Sequence, residues 1–287
     1  MVGSLPLSAL VLTYNEEANI EACLRSLHGW VDAIFVVDSG STDRTLDIVR
    51  RYTDHVYTHP FESWGLQLNW ALAALPWESD WIIRLDADEY VTPALRDELC
   101  ETLPSLADAV SALYCKRRVH FMGRWIRHGG CYPVWLMRVF RRHRVCFEQH
   151  LGEAEHAIVR EGSVAYLKHD IVDDNRKGLT FWTLKHEGYA QREVASLMDT
   201  LGAARVEMKG ALRGTPEQKR RWFKTNVYAR TPLFLRAVAY FGYRYFLRLG
   251  FLDGVEGLIF HVLQGFWYRF YIDARIWEMR RNGRTGP

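Results

Sequence analysis

Asp86, Asp88 and Glu89 fall within four positions at the end of the run "IIRLDADEY" (Ile82 to Tyr90). Carboxylates this close repel one another and are costly to bury unpaired. They therefore either form a turn in water or await something cationic. Two other apolar runs end in the same way. "LSALVLT" (Leu7 to Thr13) leads into Tyr14-Asn15-Glu16-Glu17, and "AIFVVDS" (Ala33 to Ser39) carries Asp38 into Gly40-Ser41-Thr42-Asp43. Ser41, Thr42 or Asp43 can cap a following helix and Gly40 permits a tight turn, which accounts for those residues more easily than for Asp38. The pair Trp182 and His186, at i and i+4, shares one helix face and reads as packing.

The elements that must position these groups alternate. Strand-like runs occur at Leu7 to Thr13, Ala33 to Ser39, His55 to Thr58 and Trp81 to Asp86. Helix-period stretches lie between them, at Glu16 to His28, Asp43 to Tyr52 and Trp64 to Leu75. Such alternation predicts βαβ units and a mainly parallel sheet covered on both faces. Ligands of such sheets gather at the carboxyl ends of the strands, so the topology brings the three polar clusters to one rim.

The chain has 287 residues, 48% hydrophobic and 25% charged, an ordinary globular composition and not a disordered one. Its 11 Trp and 14% aromatic share raise the question of membranes or sugars. The net charge of +3 is unevenly spread. From Glu217 onward there are 13 Lys/Arg against 5 Asp/Glu, a net of +8, which leaves −5 for everything before. Five cysteines without a CxxC pair fit a reduced chain in which they act as small apolar residues. The N-terminus lacks a basic segment and a long apolar stretch, and reads as a first strand, not an export signal.

After about Leu113 a basic, aromatic stretch interleaves nine Lys/Arg, from Lys116 to Arg144, with rings and could hold an anion, a sugar or nucleic acid. The setting beside the acidic rim favours a sugar over nucleic acid. "TPLFLRAVAYFGYRYFLRLGFL" (Thr231 to Leu252) has the length of a membrane span but is interrupted by Arg236, Arg244 and Arg248, each costly at mid-membrane. Their spacing by four, with Tyr240, predicts a basic stripe opposite an aromatic face, as in helices lying on anionic lipid. "VEGLIFHVLQGFWYRFYIDARIW" is similar. The alternative is a helix pair packed on the catalytic domain or on a second subunit of a homo-oligomer.

In this order and spacing "TYNEE", "DSGSTDRT" and "LDADEY" resemble the family 2 glycosyltransferases of the GT-A fold. "GLQLNWAL", "HGGCYPVWLMRVFRR", "DDNRKGLTFWTLKHEGYAQRE", "GFLDGVEGL" and "GFWYRFYIDARIWE" extend the resemblance over nearly the whole chain, to the bacterial branch that builds exopolysaccharide, colanic-acid-type and lipopolysaccharide-core sugars. The resemblance implies an α/β, mostly parallel sheet flanked by helices, divided into a nucleotide-sugar half (1–110), an acceptor and catalytic half (111–215) and a basic helical module (216–287). It implies inverting transfer from a nucleotide sugar, UDP favoured over GDP, to a lipid-linked or lipopolysaccharide-core saccharide at the cytoplasmic face of the inner membrane.

Carried residue by residue, the resemblance makes Asp88 the direct ligand of Mg²⁺ or Mn²⁺, with Asp86 beside the ribose or a metal-bound water and Glu89 a helper or surface acid. Asp38, Thr13, Asn15 and Glu16 would face base and ribose. Gln67 and Asn69 are further nucleotide contacts or solvated amides. Arg138, with Arg141 and Arg142, would clamp the diphosphate or an acceptor phosphate. His128-Gly129-Gly130 looks like a loop that approaches the substrate closely. The family's acidic triplet appears as Ala154-Glu155-His156, so Glu155 is the expected base, with Glu153 or Glu148 as alternatives. Two other classes compete: a sugar-phosphate nucleotidyltransferase, which would open with a Gly-rich loop where "TYNEE" stands, and a non-catalytic scaffold.

Overall fold

Short runs rich in Val and Ile, bounded by turn residues, become strands because branched side chains pack well on a pleated surface. In the computed structural model, which describes residues 5–148, 157–199, 228–283 and isolated positions between 211 and 226, they are β1 (Leu7–Thr13), β2 (Ile34–Asp38), β3 (Val56–Thr58), β4 (Trp81–Asp86), β5 (Glu89–Val91), β6 (Val110–Phe121), β7 (Arg124–Ile126), β8 (Val134–Arg141), β9 (Val145–Phe147), β10 (Ala157–Val159) and β11 (Ser163–Asp174). Contacts divide the chain into two compact units. The first comprises Met1–Gly123, Pro133–Gln149 and Ala157–Lys177; the second comprises Arg124–Tyr132, His150–His156 and Gly178–Pro287.

The first unit is a mixed α/β layer structure. Its strands run in the order β3-β2-β1-β4-β8-β6-β11-β5. The first four are mutually parallel, as the alternation predicts. β8 runs against both β4 and β6, β11 is parallel to β6, and β5 is antiparallel to β11 at the far edge. Period-two alternation separates two cores. Ala9, Val11, Val36, Ile83 and Leu85 pack on one face with α1 (Ile20–Leu27) and α4 (Pro93–Thr102). Leu10, Leu12, Phe35, Val37 and Ile82 pack on the other with α3 (Trp64–Ala74). α2 (Thr45–Val49) adds Val49 to the first core. Val110, where the nucleotide half was expected to end, is the first residue of β6, inside the sheet.

The second unit is helical: α5 (Gly178–Asp199), α6 (Leu235–Gly242), α7 (Gly254–Phe260) and α8 (Tyr268–Arg281), with π-helical turns at Tyr243–Leu247 and His261–Trp267. Ala190 and Val194 of α5 meet Tyr268, Ile272 and Ile276 of α8. Among the described residues no helix is long and apolar enough to cross a membrane. The expected outward basic stripe is corrected here. Arg236 and Arg244 are each only 6% exposed. Arg236 Nε donates to Asp273 Oδ1 at 2.7 Å. Arg244 Nε donates to the Gly129 carbonyl at 2.7 Å, and its other nitrogens reach Gln264 and Cys131. The arginines point inward because buried acceptors await them there; Arg248 remains outside.

Candidate functional site

Strand register lines up the rim. Thr13 pairs with Asp38 across β1–β2, and Leu12 with Asp86 across β1–β4, so three neighbouring strands end together in polar residues. Asp38 is buried and organises its own turn, accepting from the backbone N–H of Gly40 and of Ser41 at 2.9 Å and from the Ser41 hydroxyl. Gly40, at φ +94, permits that turn. The first two clusters are laced together. Asn15, at φ +52, donates its N–H to Ser41 Oγ at 2.8 Å and accepts from Thr42 N–H at 2.7 Å, while Glu16 N–H donates to Thr45 Oγ1 at 2.7 Å. The Thr13 hydroxyl is buried with no partner among the described residues, the kind of orphan that a ligand or ordered water satisfies.

The acidic cluster is a network of charges. Arg84, fully buried two residues before Asp86 and so on the same strand face, donates to Asp86 Oδ1 at 2.8 Å. Arg138 on β8 donates to Asp86 Oδ2 at 3.1 Å and to Glu89 Oε1 at 2.6 Å. Glu89 is 1% exposed, so of its two expected roles, helper or surface acid, the second is excluded. Burial first, then the Asp86 charge, pushes its carboxyl well above the usual range despite Arg84 and Arg117. Asp88 lies half-buried in the turn between β4 and β5, where its Oδ2 accepts from Asn175 Nδ2 at 2.9 Å. Glu16 is held by Lys177 at 2.6 Å and Asn19 at 2.7 Å, yet burial and the Asp88 charge raise its carboxyl. The Cys23 thiol, pushed up first by burial, is raised further by Glu89, Asp88, Asp86 and Glu16. Burial first, and the neighbouring acids second, thus raise the carboxyls of the rim.

The donor set fits a divalent cation in one way and not in another. Among the described residues no three His, Cys, Asp or Glu converge as metal ligands, so the rim offers no all-protein cage. Asp86, expected as a second ligand, has both oxygens engaged by arginines and reads as a positioning residue. Asp88, half-buried in the turn after β4, is a hard oxygen donor of the kind a divalent cation takes. That suits Mg²⁺ or Mn²⁺, which bind through one or two carboxylates and complete their shells with water and phosphate.

Other expectations separate. Gln67 is buried, not solvated: its amide meets His59 Nδ1 at 2.6 Å and Ser39 Oγ at 3.2 Å, propping the loop after β2. Asn69 bonds the Phe147 backbone at both ends of its amide, at 2.8 and 2.9 Å, tying α3 to β9; the expected nucleotide contact is replaced by this tie. Arg141 and Arg142 are excluded from the rim by strand direction. Because β8 is antiparallel to β4, Arg141 pairs with Trp81 and bonds Asp80, and Arg142 N–H reaches the Asp80 carbonyl at 3.0 Å. These lie five residues, about 16 Å, from Asp86. Of the three arginines Arg138 alone joins the acids.

In the second unit Gly129 approaches His261, where a Cβ would come within 2.1 Å of the ring, and His128 Nδ1 lies 2.7 Å from Asp253. Trp182 and His186 stack at 3.5 Å, as packing predicts. Glu153 and Glu155 lie outside the described residues; Glu148 is buried. Sequence reasoning assigned no role to Asn175 and Lys177. The signal was present in "DDNRK", a fourth polar cluster at a strand end.

The family model "Glycosyl transferase family 2" matches residues 8–163. A stretch of 170 residues is 32% identical to the lipopolysaccharide core biosynthesis glycosyltransferase LpsC of Rhizobium meliloti (strain 1021), covering 57% of this chain and 61% of that protein. A stretch of 93 residues is 36% identical to an uncharacterized glycosyltransferase of Rickettsia bellii (strain RML369-C), covering 32% of this chain and 31% of that one. The matches therefore span less than two thirds of these relatives. Among solved structures, S. aureus TarS 1-349 aligns at 16% identity with a TM-score of 0.45, covering 97% of this chain and 92% of that chain. Glucosyl-3-phosphoglycerate synthase from Mycobacterium tuberculosis, in complex with Mn²⁺ and UDP-glucose, aligns at 20% identity with a TM-score of 0.45, covering 71% and 82%.

Proposed function

The chain belongs to glycosyl transferase family 2, and from that premise we propose that it transfers a sugar from a nucleotide sugar, UDP-linked in first preference, to a lipid-linked or lipopolysaccharide-core saccharide with inversion at the anomeric carbon. The observation that carries this reading is the register that ends β2, β1 and β4 together at Asp38, Thr13 and Asp86, with Asp88 in the turn beyond.

In this reading the laced Asn15–Thr42 and Asp38–Ser41 loops hold base and ribose in a pre-formed cradle. Such a cradle orders the donor without ordering the protein. Arg84 and Arg138 fix Asp86 and Glu89, and so aim the turn that presents Asp88. A Mg²⁺ or Mn²⁺ held at Asp88 supplies Lewis-acid stabilisation of the departing diphosphate. The acceptor oxygen forms the new bond to the anomeric carbon as the bond to the diphosphate oxygen breaks, and a carboxylate takes the acceptor proton. Glu155 is proposed as that carboxylate on its triplet, with Glu153 as alternate; Glu148 is disfavoured by its burial. The working place proposed is the cytoplasmic face of the inner membrane.

A panel of nucleotide sugars, assayed for hydrolysis and thermal stabilisation with and without Mn²⁺, tests the reading. One or more UDP-sugars should stabilise the chain in the presence of Mn²⁺. A panel in which none binds defeats it. Glu155→Gln should abolish transfer while sparing donor binding, and Glu153→Gln should spare both; the reverse pattern moves the base to Glu153.

A further inference from the structure

The C-terminal stretch is turned inside out relative to an ordinary surface helix. Of its three arginines between Leu235 and Leu252, two are buried against Asp273, Gly129, Gln264 and Cys131. The large apolar side chains face outward instead: Leu247 is 76% and Val255 69% exposed, with Leu235, Val238, Phe246 and Leu252 at half or more. Water-soluble helices show the opposite arrangement, and this many large apolar side chains exposed along one stretch mark an interaction surface.

The pieces that carry it are short. α6, the π-helical turn Tyr243–Leu247, the 3-10 turn Gly250–Asp253 and α7 follow one another within Leu235–Phe260, so the apolar residues project from a knuckle and not from a long rod. Leu249, between the π-helical and 3-10 turns, is held at φ +59, a left-handed conformation costly for a bulky residue, and is 46% exposed. Strain spent on exposing a leucine has no purpose in water.

We propose that this knuckle, Phe246–Val255 with the outer face of α6, inserts into the hydrocarbon edge of an anionic lipid bilayer, while Arg236 and Arg244 stay inside the protein. The inference rests on the membrane part of the functional reading and replaces its mechanism: apolar insertion, where the sequence pattern predicted a basic stripe lying on headgroups. The charge distribution selects lipid over a second copy of the chain. From Gln218 to Leu252 there is no Asp or Glu, and with Arg236 and Arg244 turned inward the exposed cations among the described residues are Lys219, Arg230 and Arg248; anionic headgroups attract these, whereas a second copy of the same stretch repels them. The exposed Arg248, whose Nη1 donates to the Tyr243 hydroxyl at 3.3 Å, stands where a cation and an aromatic hydroxyl meet headgroups. No described helix can span, which makes the attachment monotopic.

Flotation of the full chain with vesicles of phosphatidylcholine containing phosphatidylglycerol tests this directly. The wild type should float, and should remain bound in about 0.5 M salt, where headgroup attraction alone is screened. The double variant Leu247→Glu/Val255→Glu should lose retention by about tenfold or more. Leu184→Glu, at an equally exposed apolar position of α5, should float like the wild type. UDP-sugar binding, measured in the same preparations, should be unchanged in all three. A failure of the nucleotide reading therefore appears separately from a failure of the membrane one. Equal flotation of the double variant and the wild type, or no flotation of the wild type, overturns the proposal. So does a dimer in sedimentation equilibrium that the double variant splits without any vesicle binding.

Discussion

In the first unit Arg138 reaches Asp86 and Glu89, and in the second Arg236 reaches Asp273, each arginine nearly excluded from water. The two arrangements differ in what is left over. Asp273 takes Arg236 and the Phe234 N–H at 2.7 Å, and Glu193 takes Tyr268 and Arg269. There each carboxylate is answered locally. In the first unit the acids still raise one another, Asp86 acting on Glu89 and Asp88 on Glu16, although Arg84, Arg117, Arg138 and Lys177 stand among them. Burial works against the Arg117 charge, yet Asp173, Glu89, Asp86 and Asp88 hold its pKa above the usual value. Buried ion pairs alone are weak evidence of function. An imbalance among them, at a strand-end rim, is the stronger pointer.

The largest effect should come from breaking the balanced pair. Asp273→Ala leaves Arg236 buried without its partner and should cost about 3–5 kcal/mol of stability in denaturant unfolding, with donor binding by the folded fraction intact. A loss under about 1 kcal/mol would mean that the second unit is no more balanced than the first. A smaller effect should follow from acid. Burial holds His186 and His261 down at about 4, so both are neutral in the fold while the unfolded chain takes up protons below about 6.5. Their contribution is complete above that pH and is lost as pH falls from about 6.5 to 4, by about 2 kcal/mol each. Thermal denaturation of wild type and His186→Gln across this range checks it; the variant should show the shallower slope. The smallest effect should be that of Glu89→Gln. The amide keeps the shape of a carboxyl whose charge burial and Asp86 already oppose, and its oxygen can still accept from Arg138, so stability should change by less than about 1 kcal/mol. A loss as large as that of Asp273→Ala would erase the distinction between the units.

The three clusters were legible because each ends an apolar run, and parallel topology then assigns them one rim without any knowledge of packing. The residues that complete the rim were not. Lys177 stands 161 positions from Glu16 and Asn175 stands 87 from Asp88, and local pattern carries no such distance. Arg84 carried no assignment from the sequence, although its partner Asp86 lies two residues on. Arg138 could not be told from Arg141 until the antiparallel direction of β8 was known, because reversing that strand exchanges which arginine meets the acids. In the second unit the period-four pattern carries Arg236 and Arg244 to one buried side and leaves Arg248 outside. Its direction depends on Asp273 and Gly129, which are distant in sequence, and an amphipathic pattern does not say which face turns inward.

In the proposed function Asp88 presents a metal to the diphosphate of a nucleotide. Calorimetric titration of UDP into the full chain, with and without Mn²⁺, for wild type and Asp88→Asn tests it most directly. Mn²⁺ should tighten UDP binding to the wild type by about a hundredfold, on the order of 3 kcal/mol, and should leave the variant unaffected. UDP binding that is equally tight in both proteins and indifferent to Mn²⁺ would contradict the account.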